Sequence, residues 1–172
     1  EEPRPDLDKS LRMYQRIIDE FPRSELVDDA IYNKGFLYEE MREHRKANQI
    51  YHHLCEAYPK SRYLPEAYMR LGEYYFNPPV SDLDRAIEFY KQVLVYRDSP
   101  RYNEALYKLG WSYYRLSRYP EAISYFTTLV ENAEALETIQ ADRTPVNVNL
   151  VEEAIAYIAI SFLDFGGPEK AR

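Results

Sequence analysis

Side chains that could bind a metal lie together in one short stretch of this 172-residue sequence. His52 and Glu56 are four residues apart, a spacing that places them on one face of a helix, and Cys55 lies beside them. The other two histidines are His44 and His53, and there is no second cysteine. Three dispersed ligands on one helix make a poor zinc site, so we interpret the stretch as a solvated helix face. We expect no metal and no other cofactor.

Catalytic motifs are also absent from the sequence. It contains no glycine-rich phosphate loop, nucleophile elbow or HExxH pattern, and five glycines in total leave little room for one. The carboxylate pairs Glu39 with Glu40 and Glu152 with Glu153 are adjacent in sequence, so they diverge around a helix. Such pairs suit helix surfaces rather than acid–base catalysis. The sequence therefore predicts a protein that is not an enzyme.

The charge and hydropathy of the chain limit the classes of partner that it is expected to bind. A formal charge of −7 would repel nucleic acid and anionic membranes, so nucleic acid is an unfavourable partner. No apolar run reaches the roughly 18 residues that cross a bilayer, and direct membrane insertion is not expected. The amino terminus has no signal-peptide pattern, although this leaves the compartment open. The lone Cys55 excludes an internal disulfide. We expect protein or peptide partners.

An internal repeat organises the sequence. A ten-residue pattern with alanine at its second position begins at Asp29, Glu66 and Glu104, and each copy predicts the first helix of a pair. The second helix follows at a fixed interval, because Ala30 to Ala47 and Ala105 to Ala122 both span 17 residues. The predicted second helices cover 46–58, 85–96 and 121–130.

This pattern resembles the tetratricopeptide repeat, a helix–turn–helix unit of about 34 residues. The third copy fills the family's signature positions with Leu109, Gly110, Tyr113, Ala122 and Phe126. The second copy supplies Leu71, Gly72, Tyr75, Ala86 and Tyr90, and the first supplies Gly35, Tyr38, Ala47, Tyr51 and Pro59. The resemblance covers nearly the whole chain. It implies an all-α fold, a right-handed superhelix (solenoid) of antiparallel helix pairs, in which small residues lie where helices cross closely.

The repeat boundaries predict about three full repeats with a half repeat at each end. The segments are 7–22 (second helix of a partial repeat), 28–61, 65–100, 103–143 (with an extended second helix), 144–149 (a linker) and 150–172 (a partial repeat). An array that begins and ends in mid-repeat predicts a fragment of a longer array, and irregular caps are the alternative. The insertion at 131–150 is either a partner-specific element or a tolerated surface excursion.

Two linkers share an aromatic-proline-basic-serine pattern, Phe21-Pro22-Arg23-Ser24 and Tyr58-Pro59-Lys60-Ser61. Proline stops a helix, and we expect the serine to cap the helix that follows. The pattern is similar to that of tetratricopeptide repeats in bacterial envelope proteins, including outer-membrane assembly lipoproteins and Tol-Pal-associated periplasmic proteins. That resemblance implies a periplasmic or cell-envelope location, with the cytoplasm as the alternative.

One stripe of the first helices is predicted to bind a partner. Tyr107, Trp111 and Tyr114 are three or four residues apart and share a helix face, whereas Leu106 and Leu109 belong to the packing face. The resemblance places the first stripe in a concave groove that holds a partner's peptide or helix. The candidate residues are Tyr32, Phe36, Met69, Arg70, Phe76, Tyr107, Lys108, Trp111, Tyr114 and Arg115, and the same face includes Asn33, Glu39, Glu40, Glu73, Asn77, Ala156, Tyr157, Ile160 and Asp164.

Aromatic residues, Met and Arg are enriched in interfaces, which favours this assignment, with Trp111 as the strongest single candidate. The alternative is that neighbouring repeats cover most of these rings. The basic residues of the face would meet partner carboxylates or pair with nearby acids such as Glu73 and Glu104. The clamp that some tetratricopeptide domains use for chaperone tails is not reproduced, because Tyr32 and Phe36 replace its lysine and asparagine.

The leading functional hypothesis is a non-enzymatic scaffold that binds a partner's peptide or helix, in a bacterial cell-envelope assembly. The alternative is an architectural or self-associating segment whose aromatic faces are consumed by adjoining repeats. A third hypothesis is an auxiliary domain that delivers partners to an enzyme elsewhere in a parent chain.

Overall fold

The computed structural model describes residues 6–139 and 148–166, and within them it contains eight helices and no strand. The helices are α1 (Leu7–Glu20), α2 (Val27–Glu40), α3 (His44–Ala57), α4 (Leu64–Phe76), α5 (Leu83–Val93), α6 (Tyr102–Arg115), α7 (Tyr119–Ile139) and α8 (Val148–Phe165). The predicted all-α class is confirmed. Helices α2, α4, α6 and α8 are the first helices of the repeat pattern, and α1, α3, α5 and α7 are the second helices.

The insertion after the third repeat is partly helical. Helix α7 continues to Ile139, as the helix propensity of the sequence after Val130 predicts, and residues 140–147 lie outside the described part. The predicted linker 144–149 is wrong at its end, because α8 already begins at Val148. Asn149 lies in the first turn of α8, where the backbone N–H groups have no partner inside the helix.

The chain forms two compact units that meet in sequence within α4, the first ending at Tyr74 and the second starting at Tyr75. In the first unit α2 packs against α1 and α3. In the second unit α6 packs against α5, α7 and α8, and α7 packs against α8. The repeat pattern predicts one continuous array and contains no signal for this division.

Glycine lies where the two helices of a pair come closest. A Cβ atom on Gly35 of α2 would lie 2.7 Å from the ring of Tyr51 of α3. A Cβ atom on Gly110 of α6 would lie 2.5 Å from the ring of Phe126 of α7. Both rings are almost fully buried, at 1% and 0% exposure. Each glycine therefore makes room for an aromatic ring, which is the packing role that the resemblance implied.

The turn inside the first and third repeats ends the first helix in the same way. The Glu43 amide donates to the Tyr38 carbonyl at 2.8 Å, and the Arg42 amide donates to the Glu39 carbonyl at 2.8 Å. These two bonds form a Schellman motif, which requires a left-handed residue after the helix. Arg42 has φ 59°, and Ser117 has φ 57° at the equivalent position after α6. Neither residue is glycine, so both turns carry a conformational cost.

Serine organises the linkers between repeats, but not as a helix cap. The hydroxyl of Ser24 accepts a hydrogen bond from the Leu26 amide at 3.2 Å, and the hydroxyl of Ser61 accepts one from the Tyr63 amide at 3.2 Å. The expectation that serine caps the next helix is wrong, because each hydroxyl bonds two residues ahead and closes a turn before that helix begins. Ser99 forms the same turn, with its hydroxyl accepting from the Arg101 amide at 3.1 Å.

No helix in the described ranges is both long and apolar enough to cross a membrane.

Candidate functional site

The first unit presents Phe36 on the predicted partner face of α2. Phe36 is 38% exposed, which is high for a phenylalanine in a helical repeat. Tyr32, one turn earlier, is half-buried, and its ring stacks on Tyr63 with centroids 4.5 Å apart and planes at 9°. The Tyr51 ring lies 5.9 Å away on the other side. Tyr32 is thus packed between these two rings, and Phe36 is the ring that a partner can reach.

Arg70 of α4 connects the polar groups beside Phe36. Its guanidinium lies 3.3 Å from Glu39 and 3.3 Å from Glu66, and 5.9 Å from the centroid of the Phe36 ring. The three charged side chains are 32%, 22% and 20% exposed, so the network is only partly screened by water. The sequence predicted that the basic residues of this face pair with nearby acids, and the acids that Arg70 contacts are Glu39 and Glu66.

Burial shifts the protonation of this network. Burial raises the pKa of Tyr32 to about 12, with a smaller contribution from the Glu66 carboxylate. Burial also raises the pKa of Glu39 above its ordinary value, and the charge of Arg70 opposes that shift. The Tyr32 hydroxyl therefore stays protonated at neutral pH. When Glu39 and Glu66 are both ionised, the single positive charge of Arg70 leaves the network with one net negative charge. The network therefore does not attract a partner's carboxylate.

Met69 does not belong to the accessible face. Its side chain is 3% exposed, whereas Tyr32 and Tyr107 are half-buried at the same position of their repeats. Methionine is unbranched and flexible, so it fills gaps that a rigid ring cannot enter. We therefore assign Met69 to the core and remove it from the candidate contact residues.

The second unit surrounds Phe76 with positive charge. The Lys108 ammonium lies 5.2 Å and the Arg115 guanidinium 4.7 Å from the centroid of the Phe76 ring. Arg115 also donates a hydrogen bond to the Phe76 carbonyl at 3.0 Å, which holds it in place. Cation–π contacts of this type are worth about 0.5 to 1 kcal/mol at exposed sites. The arrangement forms a basic aromatic patch at the carboxyl-terminal ends of α4 and α6.

Helix α8 covers part of the aromatic stripe of α6. The ring of Trp111 lies 4.2 Å from that of Tyr157, centroid to centroid. The Tyr107 hydroxyl donates to the Glu153 carboxylate, and the Tyr114 hydroxyl donates to Asp164 at 2.8 Å. Burial, reinforced by the Glu153 bond, raises the pKa of Tyr107 to about 12. Helix α8 therefore covers these rings in part, and Trp111 is only half-exposed. Coverage by a neighbouring repeat was the alternative to an open partner-binding face.

One repeat position nevertheless stays accessible in both units. The position six residues after the first-helix alanine holds Phe36 in the first repeat, Trp111 in the third and Ile160 in the partial repeat. Phe36 is 38% and Ile160 39% exposed, and Trp111 is half-buried. Glu73 occupies the position in the second repeat. A large apolar side chain therefore recurs at this position, more than a third exposed at Phe36 and Ile160 and partly covered by Tyr157 at Trp111.

The partners that fix these side chains were not predicted from the sequence. Tyr63, in the linker before α4, stacks on Tyr32, and Glu153 at the start of α8 accepts from Tyr107. Both lie outside the matched repeat positions. Tyr63 lies two residues after the linker serine Ser61, but Leu26 and Arg101 hold that position after Ser24 and Ser99, so no recurring pattern marked it.

The metal-binding alternative finds no support among the residues described. No group of three or more histidine, cysteine or acidic side chains in that part of the chain is placed to hold an ion. Burial raises the pKa of the Cys55 thiol to about 12, so the thiolate that a metal or a nucleophilic mechanism needs is disfavoured at neutral pH.

Comparisons with known proteins agree with the repeat pattern. Family models described as tetratricopeptide repeat match residues 29–61 and 80–137, together more than half of the chain. A comparison with curated proteins found no match.

Solved structures of helical-repeat proteins are similar in fold. One is MamA, with 18% identity, a TM-score of 0.58, and coverage of 93% of this chain and 83% of that chain. Another is a tetratricopeptide repeat protein from Parabacteroides merdae, with 18% identity, a TM-score of 0.63, and coverage of 96% and 70%. A third, from Podosopora anserina, is a putative kinesin light chain with nearly identical repeats, with 14% identity, a TM-score of 0.63, and coverage of 96% and 82%. At these identities the likeness shows the fold alone.

Proposed function

Because the chain belongs to the tetratricopeptide-repeat family, we propose that it is a non-enzymatic scaffold that binds a peptide or helix of a partner protein through its first-helix face. The recurring apolar side chain on that face carries the proposal. Phe36 and Ile160 occupy one repeat position and each remains more than a third exposed. Interface centres are built around such anchors.

The two units offer different chemistry to a partner. In the first unit Arg70 is already paired with two carboxylates, so the exposed Phe36 ring selects an apolar side chain rather than an acid. In the second unit Arg115 is exposed beside Phe76, so the patch there accepts a partner carboxylate next to an apolar group. The first unit therefore favours a peptide with an aromatic or aliphatic anchor, and the second favours an acidic residue next to an apolar group.

We place this scaffold in a bacterial cell-envelope assembly, in the periplasm. The support is the aromatic-proline-basic-serine pattern of two linkers, Phe21 to Ser24 and Tyr58 to Ser61, which resembles that of envelope proteins. Fractionation of the native host with an antibody to the chain tests the location, and recovery in the cytoplasmic fraction would overturn it.

The binding proposal is tested with a pair of matched variants. Phe36→Ala removes the candidate anchor, and Val95→Ala removes an equally apolar side chain that is 71% exposed in the turn after α5. Both variants are immobilised beside the parent chain and exposed to envelope and soluble extracts, after circular dichroism shows unchanged helix content. A partner retained by the parent and by Val95→Ala but lost by Phe36→Ala supports the face as the binding surface.

The opposite pattern would count against the proposal. If every captured protein is retained equally by Phe36→Ala, or is lost equally from Val95→Ala, the capture reflects general stickiness rather than the first-helix face. The Trp111→Ala and Tyr114→Ala variants are less suitable as first tests, because both rings also hold α8 in place.

A second function, self-association in an architectural segment, is favoured by a separate observation. Helix α8 exposes four large apolar side chains, Ile155, Ile160, Phe162 and Leu163, at 53%, 39%, 36% and 71%. Only Ile160 lies at the repeat position shared with Phe36 and Trp111. Leu163 lies three residues after Ile160 and shares its helix face, whereas Ile155 and Phe162 lie on a different face of α8.

A further inference from the structure

The negative charge of the first unit is concentrated on its first helices. Helices α2 and α4 together carry six carboxylate side chains and two cations, whereas α1 and α3 carry four carboxylates and five cations. The first helices are therefore acidic, while the second helices are nearly neutral. An acidic surface attracts positively charged groups of a partner and repels its acidic groups before contact is made.

Part of this charge is already used inside the unit. Asp28 and Asp29 bond residues of the linker before α4, the first accepting from a serine hydroxyl at 2.7 Å and the second pairing with an arginine at 2.8 Å. Lys34 donates to a glutamine of α1, so this cation lies on the α1 side of α2. Of the two cations on α2 and α4, this leaves Arg70 on the sides where these helices meet.

The carboxylates around Arg70 outnumber it. Glu39 of α2 and Glu66 of α4 each lie 3.3 Å from its guanidinium, so the three side chains keep one net negative charge. Burial raises the pKa of Glu39 above its ordinary value although the charge of Arg70 opposes that shift, so Arg70 compensates the carboxylate only in part. The network therefore has the charge to pair with one further cation.

A buried hydroxyl beside Glu39 also lacks a partner. The Tyr51 side chain of α3 is 1% exposed, and its hydroxyl makes no hydrogen bond of normal geometry within the described residues. Burial, reinforced by the negative charge of Glu39, raises the pKa of Tyr51, which places the hydroxyl close to that carboxylate. A hydroxyl oxygen has two acceptor sites, so an N–H group that reaches Glu39 meets a second acceptor next to it. An incoming anion would instead meet the charge of Glu39.

Phe36 supplies the apolar half of the same site. It lies three residues before Glu39, so the two side chains share a face of α2. The Arg70 guanidinium lies 5.9 Å from the centroid of the Phe36 ring as well as 3.3 Å from Glu39, so both residues are on the side of α2 that borders α4. Lysine and arginine combine an apolar methylene stem with a charged head. Either residue can therefore lie along the exposed ring and pair with the carboxylate.

We propose that the first unit binds a segment of a partner protein that carries lysine or arginine beside its apolar anchor. The anchor and the stem of the basic residue lie on Phe36, and the charged head pairs with Glu39 and Glu66, which makes the network neutral. This inference names the partner chemistry for the binding function proposed above and rests on it. The second unit selects differently, because cations already surround Phe76 there.

Peptide selection with a counter-selection step tests this chemistry. A phage library of random dodecapeptides is first depleted on immobilised Phe36→Ala protein, which removes peptides that bind other parts of the chain, including the basic patch at Phe76. The remaining phage are selected on the parent chain and sequenced. The recovered peptides should place lysine or arginine next to an apolar residue at least about threefold more often than they place aspartate or glutamate there.

The affinity of the recovered peptides is then measured by fluorescence anisotropy with matched charge variants. Glu39→Gln and Glu66→Gln keep the shape of the side chain and remove one carboxylate charge, and each should weaken binding roughly two- to fivefold. Glu56→Gln is the control, because Glu56 is exposed on the second helix α3, and it should leave the affinity unchanged. Replacing the basic residue of the peptide by glutamine should abolish the difference between the parent chain and Glu39→Gln.

The outcomes separate this inference from the function on which it rests. Phe36-dependent peptides that lack basic residues, or that are rich in aspartate and glutamate, would overturn the inference and leave the binding face in place. The same conclusion follows if Glu39→Gln and Glu66→Gln both bind the basic peptides as tightly as the parent chain does. Recovery of no Phe36-dependent peptide would overturn the inference together with the binding function proposed above.

Discussion

The ring of Tyr157 in α8 lies 4.2 Å from the ring of Trp111 in α6, with the planes tilted by 58°. This contact explains why the most conspicuous side chain of the sequence is not simply displayed for a partner. We expect Trp111 and Tyr157 to stabilise each other by about 0.5 to 1.5 kcal/mol beyond the area they bury.

A double-mutant cycle with Trp111→Leu and Tyr157→Leu, read by denaturant unfolding, measures that coupling. Trp111 is the single tryptophan, so the emission of the Tyr157→Leu variant should also shift as its ring gains water. A coupling near zero with an unchanged emission maximum would show that α8 does not rest on this ring in solution.

Gly110→Ala should destabilise the protein although alanine is the better helix former. The substitution gains up to about 1 kcal/mol of helix propensity. The new Cβ would lie 2.5 Å from the Phe126 ring, and overpacking of that kind costs about 1 to 3 kcal/mol. Thermal unfolding should show a net loss, which should shrink in a Phe126→Leu background where the ring is absent. A stabilised Gly110→Ala variant would mean that the helices are farther apart than described.

Ser117→Gly should stabilise the third repeat by about 0.5 to 1 kcal/mol. The residue has φ 57° in the turn after α6, and glycine adopts that conformation without the cost that a Cβ imposes. Ser99→Gly is the matched control, because it removes the hydroxyl that accepts from the Arg101 amide and should lower stability. The same sign for both substitutions would refute the assignment of the two turns.

Arg70→Met should cost about 1 to 3 kcal/mol at neutral pH, because it leaves Glu39 and Glu66 without their shared partner. The loss should decrease as the pH falls. The pKa of Glu39 is raised in the folded state, and removing Arg70 raises this pKa further. The unpaired buried charge therefore destabilises the variant only at pH values at which Glu39 is ionised.

Urea unfolding of Arg70→Met at neutral pH and near pH 4 to 5 measures this difference. The control is Arg62→Met, which breaks an ion pair of Arg62 with Asp29 in which the arginine is 72% exposed, and it should cost less than about 1 kcal/mol. A loss for Arg70→Met that is equal at both pH values would show that the glutamates are not the groups concerned.

The repeat pattern was sufficient to predict the helices because it rests on spacing. Small residues such as Gly110 must face a large one wherever two helices cross, and Phe126 follows 16 residues later, as Tyr51 follows Gly35. That requirement is local and visible in one repeat. The serine turn at Ser99 was missed because its proline, Pro100, follows the serine, whereas Pro22 and Pro59 precede the serine of their linkers by two residues.

The sequence could not predict in the same way which side chains of the first-helix face are covered by other helices. The register assigns Tyr32, Met69 and Tyr107 to one position, yet Met69 alone is fully buried. Whether a residue at that position is reached by solvent depends on the size and flexibility of side chains from other helices. The capture of Trp111 by Tyr157 is likewise a contact between residues 46 positions apart, which the helix period does not specify.

The central claim, that the first-helix face binds a partner protein, is tested most directly by the affinity of a purified partner segment for three proteins. Isothermal titration calorimetry is performed with the parent chain, Phe36→Ala and Val95→Ala. The account predicts that Phe36→Ala weakens binding about tenfold or more, a loss of at least ~1.4 kcal/mol, with Val95→Ala unchanged. Equal affinity of all three proteins would contradict it.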